Sequence, residues 1–239
     1  MSKVEHTYIE SIDTAARQMT QLLNAGLRVE GKRVLDLGCG TGTYARIIAE
    51  MGATSVVGVD CVLGNIKTAC KLNSLSNVEF FCADIEDWAI RGTFDMIFMR
   101  GTSYYLEAGI GELISRFVGI LPPGGELFIT FMNSGKQALF INAIKRFAEH
   151  LPEILRPVFR NIFAALYYCM AYVMEGGKSE WRLIKGKMNT LFFPLKHFTS
   201  PEEARLALES GGFKIAGVYK GQGQNPDLSD EYGVWAVLR

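Results

Sequence analysis

Val34-Leu35-Asp36-Leu37-Gly38-Cys39-Gly40-Thr41-Gly42-Thr43 is the stretch that decides the fold of this chain. It begins as a short run of buried-strand residues, passes through three glycines at alternate positions, and runs into residues 44–50, which have helix periodicity. Glycine lets a backbone approach a ligand closely, and the first turn of a helix presents unpaired N–H groups, so strand, glycine turn and helix together mark a nucleotide site. A dinucleotide fingerprint needs its third glycine three residues after the second. Here Gly42 follows Gly40 by two, and Asp36 sits two residues before the first glycine. An acid at that point repels a pyrophosphate, so the ligand is better matched by one with an ammonium or hydroxyl groups for Asp36 to accept from.

Working outward, Ser55-Val56-Val57-Gly58-Val59-Asp60 reads as a second buried strand that ends in an acid 24 residues after Asp36. In a β-α-β unit an acid there can accept from both ribose hydroxyls. The alternative is a turn or helix-cap aspartate. Residues 62–73 carry helical spacing, and 78–84 form a third strand, again ending in an acid, Asp84. That carboxylate can accept from the exocyclic amine of an adenine while the backbone and side chain of Ile85 address the ring. A fourth strand over 94–100 leads into Gly101-Thr102-Ser103-Tyr104-Tyr105-Leu106, a loop at the same sheet edge. Helix 110–121, the turn Pro122-Pro123-Gly124-Gly125 and a fifth strand over 126–132 follow. Near the C-terminus, Thr199-Ser200-Pro201-Glu202-Glu203 has the composition of a helix N-cap, with strands over 213–219 and 232–239 after it.

The run acid-Leu-Gly-x-Gly-x-Gly, the acids closing the next two strands and Leu121-Pro122-Pro123-Gly124-Gly125-Glu126-Leu127 resemble the motifs of the class I S-adenosylmethionine (SAM) dependent methyltransferases. The resemblance covers about residues 33–132 and 197–239. It implies a single α/β domain over 1–239, with a Rossmann-like, doubly wound, mostly parallel seven-stranded sheet, a C-terminal antiparallel strand and a helical lid insertion. It also implies SAM as cofactor, with Asp36, Gly38, Cys39, Gly40, Gly42, Asp60, Asp84, Ile85 and Arg100 around it. Tyr8, at the start of a cover helix over 8–26, either reaches the cofactor or packs. The implied reaction moves a methyl group to a small molecule, at O or N. Alternatives are a SAM-binding protein without transfer and a relative that transfers aminopropyl groups. The loop after the fourth strand lacks Asn/Asp-Pro-Pro-Tyr/Phe, which argues against methylation of planar amide or exocyclic nitrogens. If a base takes part, His197, Tyr104 and Tyr105 are the candidates, with His150 behind them; an imidazole can accept a proton near neutral pH.

Residues 133–196 are more than the minimal fold needs. Ten basic and four acidic side chains give this insertion plus six, so in a chain of zero net charge the rest carries minus six. A basic cover suits an acceptor bearing an anionic group, and a solvated helix face explains the same charges. Within it, residues 162–174 run without a charge, too short for the roughly 20 residues of a bilayer span. That stretch suits a buried lid, a homodimer contact, an apolar acceptor pocket or a membrane surface. No polybasic run points to nucleic acid, no His, Cys or carboxylate cluster has metal spacing, and the start of the chain has no secretory signal. Five cysteines without a C-x-x-C pair suit reduced thiols and a cytoplasmic location.

Overall fold

The computed structural model describes residues 12–87, 92–132, 197, 199–220 and 231–239, with isolated positions at 150, 152, 155 and 162. Seven strands form one sheet: β1 (Arg33–Leu37), β2 (Ser55–Asp60), β3 (Val78–Cys82), β4 (Met96–Met99), β5 (Glu126–Met132), β6 (Phe213–Lys220) and β7 (Glu231–Leu238). Their order is β3-β2-β1-β4-β5-β7-β6. The first five pair in parallel, and β7 runs antiparallel between β5 and β6. This is the expected doubly wound sheet with its reversed C-terminal strand.

Side-chain alternation gives the sheet two buried faces. Val34, Met96, Phe98 and Phe128 pack against α1 (Ile12–Asn24) and α2 (Thr43–Glu50), through Ala15, Met19, Leu22, Ala45, Ile47 and Ile48. Leu35, Leu37, Ile97, Met99, Leu127 and Ile129 face α4 (Ile110–Val118) and α5 (Pro201–Ser210), through Leu113, Phe117, Ala204 and Leu208. Apolar runs in β1, β4 and β5 reflect burial on both sides. The N-cap of α5 is a reciprocal pair: the Glu203 N–H donates to Ser200 Oγ and the Ser200 N–H to Glu203 Oε2. α3 (Leu63–Leu72) lies beside α2, its Ala69 close to Gly42.

The parallel strands end at one edge. Asp36 sits opposite Gly58 and Phe98, and Asp60 opposite Cys82, so the ends of β1 to β4 lie side by side. The chain leaves that edge after Met132 and returns to it, where the Thr199 N–H donates to the Met132 carbonyl at 2.9 Å. Most of the segment between, like Tyr8, lies outside the described residues. Boundaries are shorter than the pattern suggested at β3 and β4, because Asp84 and Arg100 belong to loops, not to the ladder.

Candidate cofactor and acceptor site

The glycine turn hangs on β2. The Gly38 and Cys39 N–H groups both donate to the Val59 carbonyl, at 2.7 and 3.0 Å, and the Gly40 N–H donates to Asp60 Oδ2 at 2.9 Å. Gly38 has a φ of 76°, and a Cβ on it would collide with the Thr102 side chain, so this glycine lets the loops after β1 and β4 meet. Gly40 differs. Its φ is 55°, and a Cβ there would find no atom within 4 Å. Gly42 is filled from inside the protein by the Phe80 ring, so the need for glycine at that position is packing. Cys39 turns its sulfur inward beside Gly58, and burial, with Asp36 and Asp60 adding to it, pushes its thiol up.

Two carboxyl groups organise the edge. Asp60 Oδ1 accepts from the Val62 N–H at 2.8 Å and from Asn65 Nδ2 at 3.2 Å. Because a carboxylate oxygen only accepts there, the Asn65 amide orientation is set, with Oδ1 pointing elsewhere. Asp36, 2 % exposed, shares the sheet face of α2 and takes a hydrogen bond from the Ala45 N–H in the first turn of that helix. Desolvation, reinforced by the Asp60 charge, raises its pKa from 3.8 to about 8; the Ala45 bond and Arg100 pull the other way. Among the described residues, Asp36 Oδ2 and Asn65 Oδ1 are the buried side-chain polar atoms without a hydrogen-bond partner.

Beyond β4, the Arg100 guanidinium lies 4.9 Å from the Tyr44 ring centroid and 3.8 Å from Glu231 Oε2. Glu231 is buried at the start of β7 and also accepts from the Tyr104 hydroxyl at 3.4 Å. Tyr104 is therefore an interior residue: burial and Glu231 push its phenol well up. Tyr105 is 36 % exposed and packs on the Tyr104 ring; burial of its hydroxyl, with Glu231, pushes it up as well. The His197 N–H donates to the Tyr104 carbonyl at 3.4 Å, and its Nε2 lies 3.2 Å from the Glu107 carbonyl. A carbonyl only accepts, so Nε2 carries the hydrogen and Nδ1 is the nitrogen able to take a proton. His150 is exposed.

The loop after β3 is fixed from two directions. Arg116 of α4 donates to the Ile85 and Glu86 carbonyls at 2.7 and 3.0 Å, and Glu86 Oε1 accepts from the Glu107 and Ala108 N–H groups. Asp84 Oδ1 accepts from the Glu86 N–H at 3.1 Å. Asp36, Gly40, Asp60, Asp84, Ile85 and Arg100 thus share one edge. Glu231, Tyr44 and Asn65 belong to the same edge, and the sequence reading missed them. Asn65 had a signal, being five residues past a strand-ending acid and inside a helix, while Glu231 had none, since β7 brings it in from the far end of the chain.

A family profile described as a methyltransferase domain matches residues 34–125, the segment that holds Asp36, Gly40, Asp60, Asp84 and Arg100. Over that segment the chain is similar to a methyltransferase domain, and its sheet has the class I fold. A ubiquinone biosynthesis O-methyltransferase from Neisseria meningitidis is 41% identical over 115 residues, 46% of this chain and 48% of that protein. A cypemycin N-terminal methyltransferase from a Streptomyces species is 32% identical over 139 residues, 54% of this chain and 56% of that one. The chain spans about half the length of the curated relatives it matches. Among solved structures, a SAM-dependent methyltransferase from Mesorhizobium loti aligns over 95% of this chain and 100% of its own, with a TM-score of 0.62 at 18% identity. The N-methyltransferase NodS from Bradyrhizobium japonicum WM9, in complex with S-adenosylhomocysteine (SAH), covers 93% and 86% with a TM-score of 0.58 at 18% identity. The sheet therefore has the class I methyltransferase architecture that the glycine turn implied.

Proposed function

We propose that this chain transfers a methyl group from SAM to a small-molecule acceptor, at O or N. The observation that carries the reading concerns the unpartnered buried polar atoms among the described residues, Asp36 Oδ2 and Asn65 Oδ1: the amide oxygen is an acceptor, and the Asp36 carboxyl, protonated at neutral pH, becomes one when an arriving positive charge displaces its proton. An unmet buried acceptor costs about 1 to 3 kcal/mol, so the site favours a ligand rich in donors and positive charge. Adenosine bound to methionine through a sulfonium has that character, and a pyrophosphate does not. Asp60 Oδ2 holds the Gly40 N–H alone and keeps a lone pair for a ribose hydroxyl, with Asn65 Oδ1 available for a second. Asp36 faces the ammonium of the methionine part, Arg100 its carboxylate, and Asp84 and Ile85 the adenine.

When bound, SAM supplies an electrophilic methyl carbon for in-line transfer. The chain supplies position and dryness: the glycine turn sets depth, and the buried Asp36, Arg100 and Glu231 hold orientation in a water-poor region. A proton released by the acceptor can pass to Nδ1 of His197. Relatives that act at oxygen and at nitrogen support an acceptor of either kind. The plus-six balance of 133–196, whose ends meet the sheet edge at Met132 and Thr199, supports an acceptor with an anionic group and some apolar surface.

The test is a screen of small acidic and lipophilic acceptors read out as SAH release. Turnover with an anionic acceptor is expected. SAM that binds and is consumed with none of them would reduce the chain to a SAM-binding protein.

A further inference from the structure

Groups from separate parts of the chain hold Arg100 in the free protein. Its guanidinium lies 4.9 Å from the centroid of the Tyr44 ring of α2, and its Nη2 is 3.8 Å from Glu231 Oε2 at the start of β7. Both charged side chains are nearly closed off from water, at 11 % and 5 % exposed. The supports are themselves fixed. The Tyr44 hydroxyl donates to Gln18 of α1, and Glu231 Oε1 accepts from the Tyr104 hydroxyl at 3.4 Å. The Arg100 charge is felt at Asp36, which sets the guanidinium beside the place proposed for the ligand's ammonium.

We propose that Glu231 is a built-in counter-ion: it pairs with Arg100 before the ligand arrives, then competes with the ligand's carboxylate and holds cofactor and product affinity down. This rests on the reading that the methionine carboxylate of SAM meets Arg100. A guanidinium has five N–H donors and can serve two carboxylates, but it carries one charge to share between them. The arriving carboxylate therefore finds a cation already neutralised and meets Glu231 as a like charge across it. With Glu231 gone, the free protein holds an uncompensated buried cation, which is costly. A ligand carboxylate that pairs it again then binds with the gain that Glu231 takes in the wild type.

Such a competitor suits a transferase. SAM and SAH share the adenosine and amino-acid parts, so a contact that tightens the donor equally tightens the product. Binding of that uniform kind lowers KM without raising kcat. A fixed acid opposite the shared carboxylate limits it and lets SAH leave.

Glu231→Gln keeps the shape and an oxygen for the Tyr104 hydroxyl and removes the charge. Wild type and variant are titrated by calorimetry with SAH and with decarboxylated SAH, which keeps the nucleoside and the ammonium. The variant should bind SAH about tenfold more tightly than wild type and decarboxylated SAH no more tightly. Without ligand it should melt below wild type, and SAH should raise its melting temperature by the larger amount. If Glu231→Gln does not fold, Glu231→Asp draws the acid back from Arg100 by one methylene and should show the same preference, smaller in size. SAH bound as in wild type or more weakly overturns the proposal, because Glu231 then only steadies Arg100. Equal tightening of both ligands overturns it too, since the carboxylate is then not what is read. A wild-type chain that binds no SAH refutes the functional reading, and the proposal falls with it; normal wild-type binding with either contrary variant result overturns the proposal alone.

Discussion

Replacing Asp36 by asparagine should make the protein more stable at neutral and alkaline pH and a weaker binder of SAM. In the folded chain the Asp36 carboxyl is protonated up to about pH 8, whereas the unfolded chain releases that proton near 3.8. Between those values the native state holds one proton more than the unfolded state, so stability falls as pH rises. The slope is about 1.4 kcal/mol per pH unit for one group. From pH 5 to pH 7.5, Asp36 alone therefore removes about 3 kcal/mol from the wild type. Asparagine keeps the shape and has no proton to lose, so the variant lacks this slope. Urea unfolding of both proteins at pH 5, 6, 7 and 8 gives the difference directly. The wild type should lose ground to the variant steadily up to about pH 8 and level off above it. A difference that does not change over this range would mean that Asp36 ionises normally, and the argument from its desolvation would fail.

The other variants separate ligand contact from packing. Gly40→Val should fold, since its Cβ finds open space, at a cost of about 1 to 2 kcal/mol for a side chain at positive φ, and should lose SAM binding; circular dichroism with calorimetry checks both. Gly38→Ala should lower the melting temperature through the clash with Thr102, so an unchanged melting temperature would contradict the close approach of the two loops. Asp60→Asn should weaken SAM and SAH by about 1.5 to 3 kcal/mol, the worth of a charged hydrogen bond, and wild-type affinity would remove Asp60 from the ribose. Arg156→Ala, Arg160→Ala and Arg182→Ala should raise the acceptor's KM and leave SAM affinity unaltered; three wild-type results would make the basic charge of 133–196 ordinary solvated surface.

What the pattern of residues gave away was local. Strand, glycine turn and helix are neighbours in sequence, and acids at successive strand ends keep the repeat of the β-α unit, so Asp36, Gly40, Asp60 and Asp84 were visible. The roles of the three glycines were not separable, because which one faces ligand depends on Thr102 and Phe80, brought in from other strands. Tyr104 and Tyr105 were indistinguishable as an adjacent pair, and Glu231 made the difference by capturing one hydroxyl. The elevated pKa of Asp36 was equally hidden, since it arises from burial under α2 and from the charge of Asp60. The insertion gave charge and apolarity but no periodic pairing with the sheet, which is why composition alone carries the argument about the acceptor.

Titration of the reduced chain with SAM at pH 7, by calorimetry in two buffers of different ionisation enthalpy, tests the central claim most directly. The ammonium arriving beside Asp36 should favour its ionised form, so one SAM should bind per chain with release of close to one proton, and a nicotinamide dinucleotide should give no heat. Binding of the dinucleotide, or SAM binding without proton release, would contradict the account.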